Sequence, residues 1–211
     1  MLLAYQNEIR AAVERVAEAE RQARKMVGSI VGREEKYTEV FRTHLERELN
    51  GFSEGGVTWH VLTYTTDKQS GQEGRIGADL VVALGVELGG ARQWKGFLVQ
   101  AKVNHNVRYG VSVDSFARLK GQCADMLRHT KESYVFAYGN QSTKVLKAGN
   151  VIAGAPLSQI PDKAMSEFFG DVMMCWLGDP AVVANDHRQL ETLVRQMEGK
   201  SGVLIKASEE S

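Results

Sequence analysis

Two apolar runs separated by a pair of glycines constrain the fold of this chain more than any other feature. Leu80–Leu88 is an almost unbroken series of aliphatic residues, and a second apolar run at residues 96–99 follows shortly after it. Gly89 and Gly90 lie between the runs, and glycine tolerates the positive φ angles that tight hairpin turns require. We therefore predict that the two runs form an antiparallel β-hairpin.

Polar residues stand at the open end of this hairpin, where Asp79 precedes the first run and Gln100 and Lys102 follow the second. If the turn is centred between Gly90 and Ala91, Asp79 lies opposite Lys102. Directly opposed residues share a face, with Cβ atoms about 5 Å apart, and Gln100 shares that face because side chains alternate along a strand. We expect a carboxylate, an amide and an ammonium group to converge there, and a two-residue shift in register preserves that convergence.

This arrangement resembles the signature of the PD-(D/E)XK nucleases, also called the restriction-endonuclease-like superfamily. In that pattern an Asp opens one strand, and a Glu or Gln, one spacer residue and a Lys follow on the next strand. Asp79 matches the Asp, Gln100 the Glu or Gln, Ala101 the spacer and Lys102 the Lys. The resemblance extends from about residue 34 to residue 138. It implies an α/β fold with a restriction-endonuclease-like core, in which helices flank a central mixed β-sheet.

The length of 211 residues suits one domain with appendages. We predict an N-terminal amphipathic helix within residues 1–31, a nuclease-like α/β core over 32–155, and a C-terminal extension packed on the core over 156–211. Periodicity and turn residues predict helices at 2–27, 33–49, 114–129 and 186–198, strands at 57–65, 132–138 and 144–153, and a frayed end from Lys206. The apolar segment 165–177 is compatible with a helix or with a strand.

Members of the resembled family commonly complete the site with a glutamate from the helix before the hairpin, and Glu34, Glu35 and Glu39 compete for that role. The apolar stripe of this helix comprises Tyr37, Val40, Phe41, Leu45 and Leu49. At about 100° per residue, Glu34 falls within that stripe, Glu39 nearly opposite and Glu35 to one side. An acid on a buried face needs a positive partner, so Glu34 is the first choice. The alternative is that Glu34 only complements the helix dipole in the first turn.

The resemblance implies a divalent cation, Mg²⁺ or Mn²⁺, with Asp79 as the principal ligand, Glu34 as the second and the carbonyl of Ala101 as the third. Lys102 would orient or deprotonate the attacking water, or stabilise the developing negative charge. Gln100 replaces the commoner Glu, and a neutral amide oxygen is a weaker ligand for a hard cation. We therefore expect lower metal affinity or a preference for Mn²⁺.

The charge distribution favours a nucleic-acid partner although the formal net charge is zero. Residues 92–131 carry eight basic and two acidic side chains, a net +6, whereas residues 162–211 carry five basic and nine acidic ones, a net −4. Positive charge thus gathers beside the proposed site, where a phosphate backbone would lie. The candidate DNA contacts are His105, Arg108, Lys120 and Gln122. The alternatives are a solvated helix face for the charge, a surface loop for His105 and a half-exposed polar position for Gln122.

The resemblance and these residues together imply a metal-dependent endodeoxyribonuclease, a hydrolase that cleaves phosphodiester bonds in DNA. Family analogy suggests a role in antiviral defence against foreign DNA. One alternative is a catalytically inactive nucleic-acid-binding or assembly module with the same fold. Another is an α/β interaction protein in which the Asp, Gln and Lys are unrelated. Besides DNA, a second copy of the chain or a larger defence complex could be a partner.

The remaining composition indicates a cytoplasmic protein. Cys123 and Cys175 are too few for a zinc cluster and fit core thiols in a reducing compartment. The sequence contains no secretory apolar region and no apolar run of membrane length. We therefore expect no contact with a membrane.

Overall fold

The structure, a computed structural model, describes residues 2–28, 33–66, 78–103, 113–154 and 159–209. The helices within these ranges are α1 (Gln6–Val27), α2 (Glu34–Leu49), α3 (Val113–His129), α4 (Ala148–Ile152), α5 (Met165–Met173) and α6 (His187–Gln196). The strands are β1 (Phe52–Glu54), β2 (Val57–Thr65), β3 (Leu80–Leu88), β4 (Ala91–Val103), β5 (Ser133–Tyr138), β6 (Thr143–Lys147), β7 (Asp162–Ala164) and β8 (Ser201–Glu209). A 3₁₀ turn, Leu2–Tyr5, leads into α1.

These strands form one mixed sheet of eight strands in the order β1-β2-β8-β3-β4-β5-β6-β7. The β3–β4 hairpin is antiparallel, whereas β8 runs parallel to β3 and β4 runs parallel to β5. Helices α1, α2 and α5 pack on one face, and α3, α4 and α6 pack on the other. The predicted α/β class, with a central mixed sheet flanked by helices, is therefore confirmed.

The central strands are apolar on both faces because helices cover both faces. Leu80 and Val82 of β3 belong to the core beneath α1 and α2, while Val81 and Ala83 belong to the opposite core. A strand buried on both sides carries a continuous apolar run instead of an alternating pattern. This burial explains the unbroken run in the sequence of β3.

The turn of the β3–β4 hairpin contains only Gly89 and Gly90, because Leu88 pairs with Ala91. The φ angles of the two glycines are 57° and 74°. The favoured two-residue hairpin loops include one that needs positive φ at both central positions, which glycine adopts at little cost. The turn is thus centred between the two glycines, one residue earlier than predicted from the sequence.

This turn changes the register at the open end of the hairpin. Leu80 pairs with Val99, and the N–H of Asp79 donates to the carbonyl of Val99 at 2.8 Å. The prediction that Asp79 lies opposite Lys102 is therefore wrong by two residues, and the register brings Asp79 across from Gln100. Lys102 lies on the same face of β4 as Gln100, because side chains alternate along a strand.

Strand β8 lies inside the sheet, between β2 and β3. It pairs with β2 along its whole length, Ser201–Glu209, and buries Val203, Leu204 and Ile205 completely. The prediction of a frayed end from Lys206 is therefore wrong. Part of the segment 156–211, predicted as an extension packed on the core, instead supplies an inner strand of the sheet.

Two other segments refine the sequence-based prediction. Residues 144–153, expected as a strand, divide into β6 and the short helix α4. The ambiguous segment 165–177 begins with α5, which buries Phe168 and Phe169 in the core. The remaining predicted helices and strands are present, with shifts at their ends. No helix in the described part of the chain has the length and apolar character needed to cross a bilayer.

Candidate functional site

A cleft of about 430 Å³ opens at the end of the β3–β4 hairpin that lies opposite the turn. The first turn of α2, the open ends of β3 and β4, helix α3 and the residue before β8 meet there. The lining consists of the acids Glu34, Glu35 and Asp79, the cations Arg33, Lys36, Lys102 and Lys200, and the neutral residues Gln100, Ala101 and Gln122. Since both signs of charge are present, the cleft can attract an anionic group and a cation together.

Asp79 is held from several sides in this cleft. Its backbone N–H donates to Val99 and its carbonyl accepts from the hydroxyl of Ser201, each at 2.8 Å. Its carboxylate oxygen Oδ2 accepts from the N–H of Ala101 at 2.9 Å and from the side-chain amide of Gln100. The Asp79 side chain is only 12% exposed. The carboxylate is therefore fixed in one orientation before any ligand arrives.

Gln100 contributes a buried amide with an unused acceptor. The residue is 2% exposed, and its Nε2 donates to Asp79 and, at 3.1 Å, to the carbonyl of Ala101. Its Oε1, like the Oε1 of Gln122 on α3, is buried and lacks a hydrogen-bond partner among the described residues. A buried acceptor without a donor costs about 1–3 kcal/mol. Both residues line the cleft, and each therefore carries an unused acceptor there.

Lys102 follows Gln100 on the same face of β4 and is half-buried. Its positive charge acts on Cys123 of α3. Burial raises the pKa of the Cys123 thiol to about 12, and the Lys102 ammonium group opposes that rise. Lys102 and Gln122 both line the cleft. Lys102 thus supplies positive charge to the side of the cleft that α3 forms.

Lys200, directly before β8, contributes a second ammonium group. Its Nζ lies 2.9 Å from Oδ1 of Asp79 and 2.8 Å from Oε1 of Glu35. Burial by itself would lower the pKa of Lys200, but the charges of Asp79 and Glu35 raise that pKa well above its ordinary value. Lys200 therefore stays positively charged at neutral pH. Neither the motif nor the spacing of the sequence points to this residue.

The first turn of α2 supplies two glutamates to the cleft. Glu34 is half-buried and Glu35 is exposed, and both line it, whereas the exposed Glu39 does not. The Thr38 hydroxyl donates to the carbonyl of Glu34 and lies 2.9 Å from the hydroxyl of Tyr138 on β5. This contact ties the start of α2 to the sheet. The rotation of α2 buries Tyr37 and Phe41 of the predicted apolar stripe, and the selection of Glu34 as the completing acid stays a prediction.

Seven candidate residues named from the sequence line this cleft: Glu34, Glu35, Asp79, Gln100, Ala101, Lys102 and Gln122. Lys120 is not part of its lining, and its ammonium lies over the ring of Phe116, 4.7 Å from the centroid. His105 and Arg108 lie outside the described residues. Arg33 and Lys36 were missed, although they flank Glu34 in the sequence and could have been found from that position.

The oxygen atoms of the cleft are of the kind that Mg²⁺ and Mn²⁺ prefer. Asp79 and Glu34 offer carboxylates, Ala101 a carbonyl and Gln100 an amide oxygen, all of them hard donors. Within the described ranges, no group of three or more His, Cys, Asp or Glu side chains is arranged to hold a metal. A divalent ion in this cleft would therefore need neutral oxygens, waters or substrate oxygens to complete its coordination.

Comparison with models of known protein families finds no match to this chain, and neither does comparison with curated proteins or with solved structures. A functional inference therefore depends on the residues of the cleft and on their geometry.

Proposed function

We propose that this protein is a metal-dependent nuclease with a restriction-endonuclease-like core that hydrolyses phosphodiester bonds in DNA. One observation carries the proposal: the Asp79 carboxylate, the Gln100 amide and Lys102 line a single cleft at the open end of one hairpin. These are the chemical groups, in the order along the chain, of the PD-(D/E)XK signature. Glu34, from the preceding helix, adds a second acid to the same cleft.

The oxygen donors of the cleft support a divalent metal cofactor, Mg²⁺ or Mn²⁺. When bound, such an ion supplies an activated water and neutralises negative charge on the phosphate. Asp79 and Glu34 would hold it together with the carbonyl of Ala101, and the unpaired Oε1 of Gln100 would add a neutral donor. Because Gln100 carries no charge where the family usually has Glu, we expect weaker metal affinity and better activity with Mn²⁺.

The chain's own groups orient the reactants and stabilise charge. Gln100 Nε2 and the N–H of Ala101 donate to Oδ2 of Asp79, so this carboxylate is oriented before the substrate binds. Lys102 would place a positive charge beside the reacting phosphate and hold the attacking water by a hydrogen bond. Preorganised charge of this kind is effective because it does not have to be rearranged during the reaction.

Positive charge near the cleft supports DNA as the substrate. Arg33 and Lys36 flank the acid Glu34 in the cleft lining, and the exposed Arg118 lies on α3. Cations placed around a site of cleavage attract the phosphate backbone and position it. The proposed setting is the cytoplasm, where the nuclease would act in defence against foreign DNA, alone, as a homodimer or within a larger complex.

A second candidate function is a catalytically inactive DNA-binding or assembly module with the same core. Two observations favour it. Gln100 lacks the charge of the usual Glu, and Lys200 already pairs with Oδ1 of Asp79 at 2.9 Å. A cleft with this pairing could bind a phosphate backbone through its cations without cleaving it.

Incubation of the purified protein with supercoiled plasmid and with linear duplex DNA, in Mg²⁺, Mn²⁺ or EDTA, separates the two functions. The nuclease proposal expects cleavage that requires metal and that is absent from Asp79→Ala protein purified in parallel. Asp171→Ala is the matched control, because Asp171 is also largely buried, at 19% exposure, and also pairs with a lysine. Salt-sensitive DNA binding without cleavage in any metal would favour the inactive module, and absence of both would remove both candidates.

A further inference from the structure

The Lys200 ammonium bridges the two carboxylates of Asp79 and Glu35. Nζ lies 2.9 Å from Oδ1 of Asp79 and 2.8 Å from Oε1 of Glu35. The three side chains differ strongly in exposure: that of Asp79 is 12% exposed, whereas those of Lys200 and Glu35 are 53% and 71% exposed. A nearly buried anion is thus neutralised by a cation that reaches it from the solvent side of the cleft.

The backbone fixes where this lysine side chain starts. The N–H of Lys200 donates to the carbonyl of Ala78 at 3.3 Å, and the carbonyl of Lys200 accepts from the N–H and the hydroxyl of Thr66 at 3.1 Å and 2.9 Å. The hydroxyl of Ser201 donates to the carbonyl of Asp79 at 2.8 Å. The backbone of Lys200 is therefore fixed beside Asp79. The ammonium group can change position only by rotation about the bonds of the flexible side chain.

The two oxygens of the Asp79 carboxylate are used differently. Oδ2 accepts from two neutral donors, the N–H of Ala101 and the amide of Gln100, whereas Oδ1 faces the ammonium of Lys200. A metal ion bound to Asp79 through Oδ1 would lie close to the Lys200 ammonium group, and two cations at such short range repel each other. The ammonium group therefore opposes binding of the ion at Oδ1, and its movement toward Glu35 would relieve the repulsion.

We propose that Lys200 is a built-in competitor for the metal, which neutralises Asp79 in the metal-free protein and is displaced when a divalent ion binds. The inference rests on the proposed metal-dependent function of the same cleft. Displacement is feasible because the Lys200 side chain is 53% exposed and can turn toward solvent, and because Glu35 can keep the displaced ammonium group paired. Lys200 thereby sets the metal concentration at which the cleft becomes loaded, and it prevents Asp79 from remaining an uncompensated buried charge.

Direct measurement of Mn²⁺ binding without DNA tests this proposal. Isothermal titration compares the wild type with Lys200→Met, Lys200→Arg, Asp79→Asn and the double variant Lys200→Met/Asp79→Asn. Lys163→Met is the matched control, since Lys163 also pairs with a largely buried aspartate and its side chain is 52% exposed. We expect Lys200→Met to bind Mn²⁺ about tenfold more tightly, which corresponds to about 1.4 kcal/mol. Lys200→Arg and Lys163→Met should bind as the wild type does.

The double variant shows whether the change acts through Asp79, because it should lose the tight binding of Lys200→Met. Circular dichroism and thermal melting establish that each variant is folded, and Lys200→Gln replaces Lys200→Met if the latter is not. Unchanged or weaker Mn²⁺ binding in Lys200→Met, together with Asp79-dependent binding in the wild type, overturns the inference and leaves the nuclease proposal standing. Absence of Asp79-dependent Mn²⁺ binding from the wild type and from both Lys200 variants overturns the inference and the metal site together.

Discussion

Polar side chains are more exposed at the turn end of the β3–β4 hairpin than at its open end. At the turn end, Arg92 and Glu87 form an ion pair at 3.6 Å, with side chains 76% and 34% exposed. At the open end, the Asp79 side chain is 12% exposed and Gln100 is 2% exposed. Both ends belong to the same pair of strands and share one hydrogen-bonding register. The hairpin itself therefore does not require buried polar groups at either end.

The two ends also differ in what their polar groups contribute to the free energy of folding. An exposed ion pair contributes about 0–1 kcal/mol, so the pair at the turn end is dispensable. A buried amide oxygen without a donor costs about 1–3 kcal/mol, and the Oε1 of Gln100 is such an oxygen among the described residues. Departures from good local packing concentrate at functional sites. We therefore propose that the chemistry occurs at the open end, and four experiments test this difference between the two ends.

Among these four experiments, the largest difference should come from removing one cation at each end of β4. Lys102→Ala should lower the rate of metal-dependent DNA cleavage by about 100-fold to 1,000-fold, because it removes a charge that stabilises the transition state. Arg92→Ala, at the turn end of the same strand, should leave the rate unchanged. Single-turnover cleavage of a labelled duplex measures both. Equal effects of the two substitutions would abolish the distinction between the ends.

The glutamates of α2 provide the second test. Glu34→Gln keeps the shape of the side chain but removes a proposed charged ligand. The cleavage rate should therefore fall at least about 100-fold, which is more than is usual for a residue that only supports a ligand. Glu39→Gln should change little because Glu39 lies outside the cleft. Glu35→Gln should fall between them, since Glu35 lines the cleft and pairs with Lys200.

Rates for the three glutamate variants should be compared at several Mn²⁺ concentrations. Loss of a ligand raises the metal concentration needed for activity, and excess Mn²⁺ should therefore restore part of the rate of Glu34→Gln. Loss of activity in Glu39→Gln, with Glu34→Gln intact, would show that another face of α2 serves the site.

Salt dependence should distinguish the cations near the open end from the cation at the turn. Each phosphate contact contributes about 0.9 to the slope of log affinity against log salt. The double variant Arg118→Ala/Lys120→Ala, on α3, should therefore reduce the slope by about 2. Arg92→Ala should leave it unchanged. DNA-binding titrations over a range of salt concentrations provide the measurement, and an unchanged slope in the α3 variant would assign its charges to a solvated helix face.

The smallest effect concerns the stability of the turn. Gly90 has a φ of 74° and open space around the position of a side chain, so Gly90→Ala should cost only the backbone strain of a left-handed residue, about 1–2 kcal/mol. Gly90→Asn should cost less, because Asn adopts this conformation more readily. Urea unfolding measures the free energy of unfolding. The cleavage rate of the folded variants should equal that of the wild type, and a reduced rate would couple the turn to the site.

The hairpin could be predicted from the sequence because its signals are local. The apolar run of β3 and the spacing of Gln100 and Lys102 already define two strands and a shared face. The predicted register was wrong by two residues because the prediction placed Ala91 in the turn. In this two-residue loop both residues have positive φ, and glycine adopts this conformation more readily than alanine. The turn therefore contains Gly89 and Gly90 and not Gly90 and Ala91.

The place of β8 could not be predicted in the same way, because its pairing is non-local. Its first residue, Ser201, lies opposite Thr65 of β2 on one side, and Gly202 lies opposite Val81 of β3 on the other. No turn or spacing in the sequence specifies these partners. The contact between Lys200 and Asp79 depends entirely on this pairing, which is why the sequence predicted the other Asp79 neighbours in the cleft but not this cation.

We expect metal-dependent cleavage to need the Asp79 carboxylate at the open end of the hairpin. Single-turnover cleavage of duplex DNA in Mn²⁺ by the wild type, Asp79→Asn and Asp171→Asn tests it most directly, with folding verified by circular dichroism. We predict that Asp79→Asn loses at least about 1,000-fold in rate, while Asp171→Asn, which alters a similarly buried and lysine-paired carboxylate, cleaves like the wild type. Undiminished cleavage by folded Asp79→Asn protein would contradict the claim.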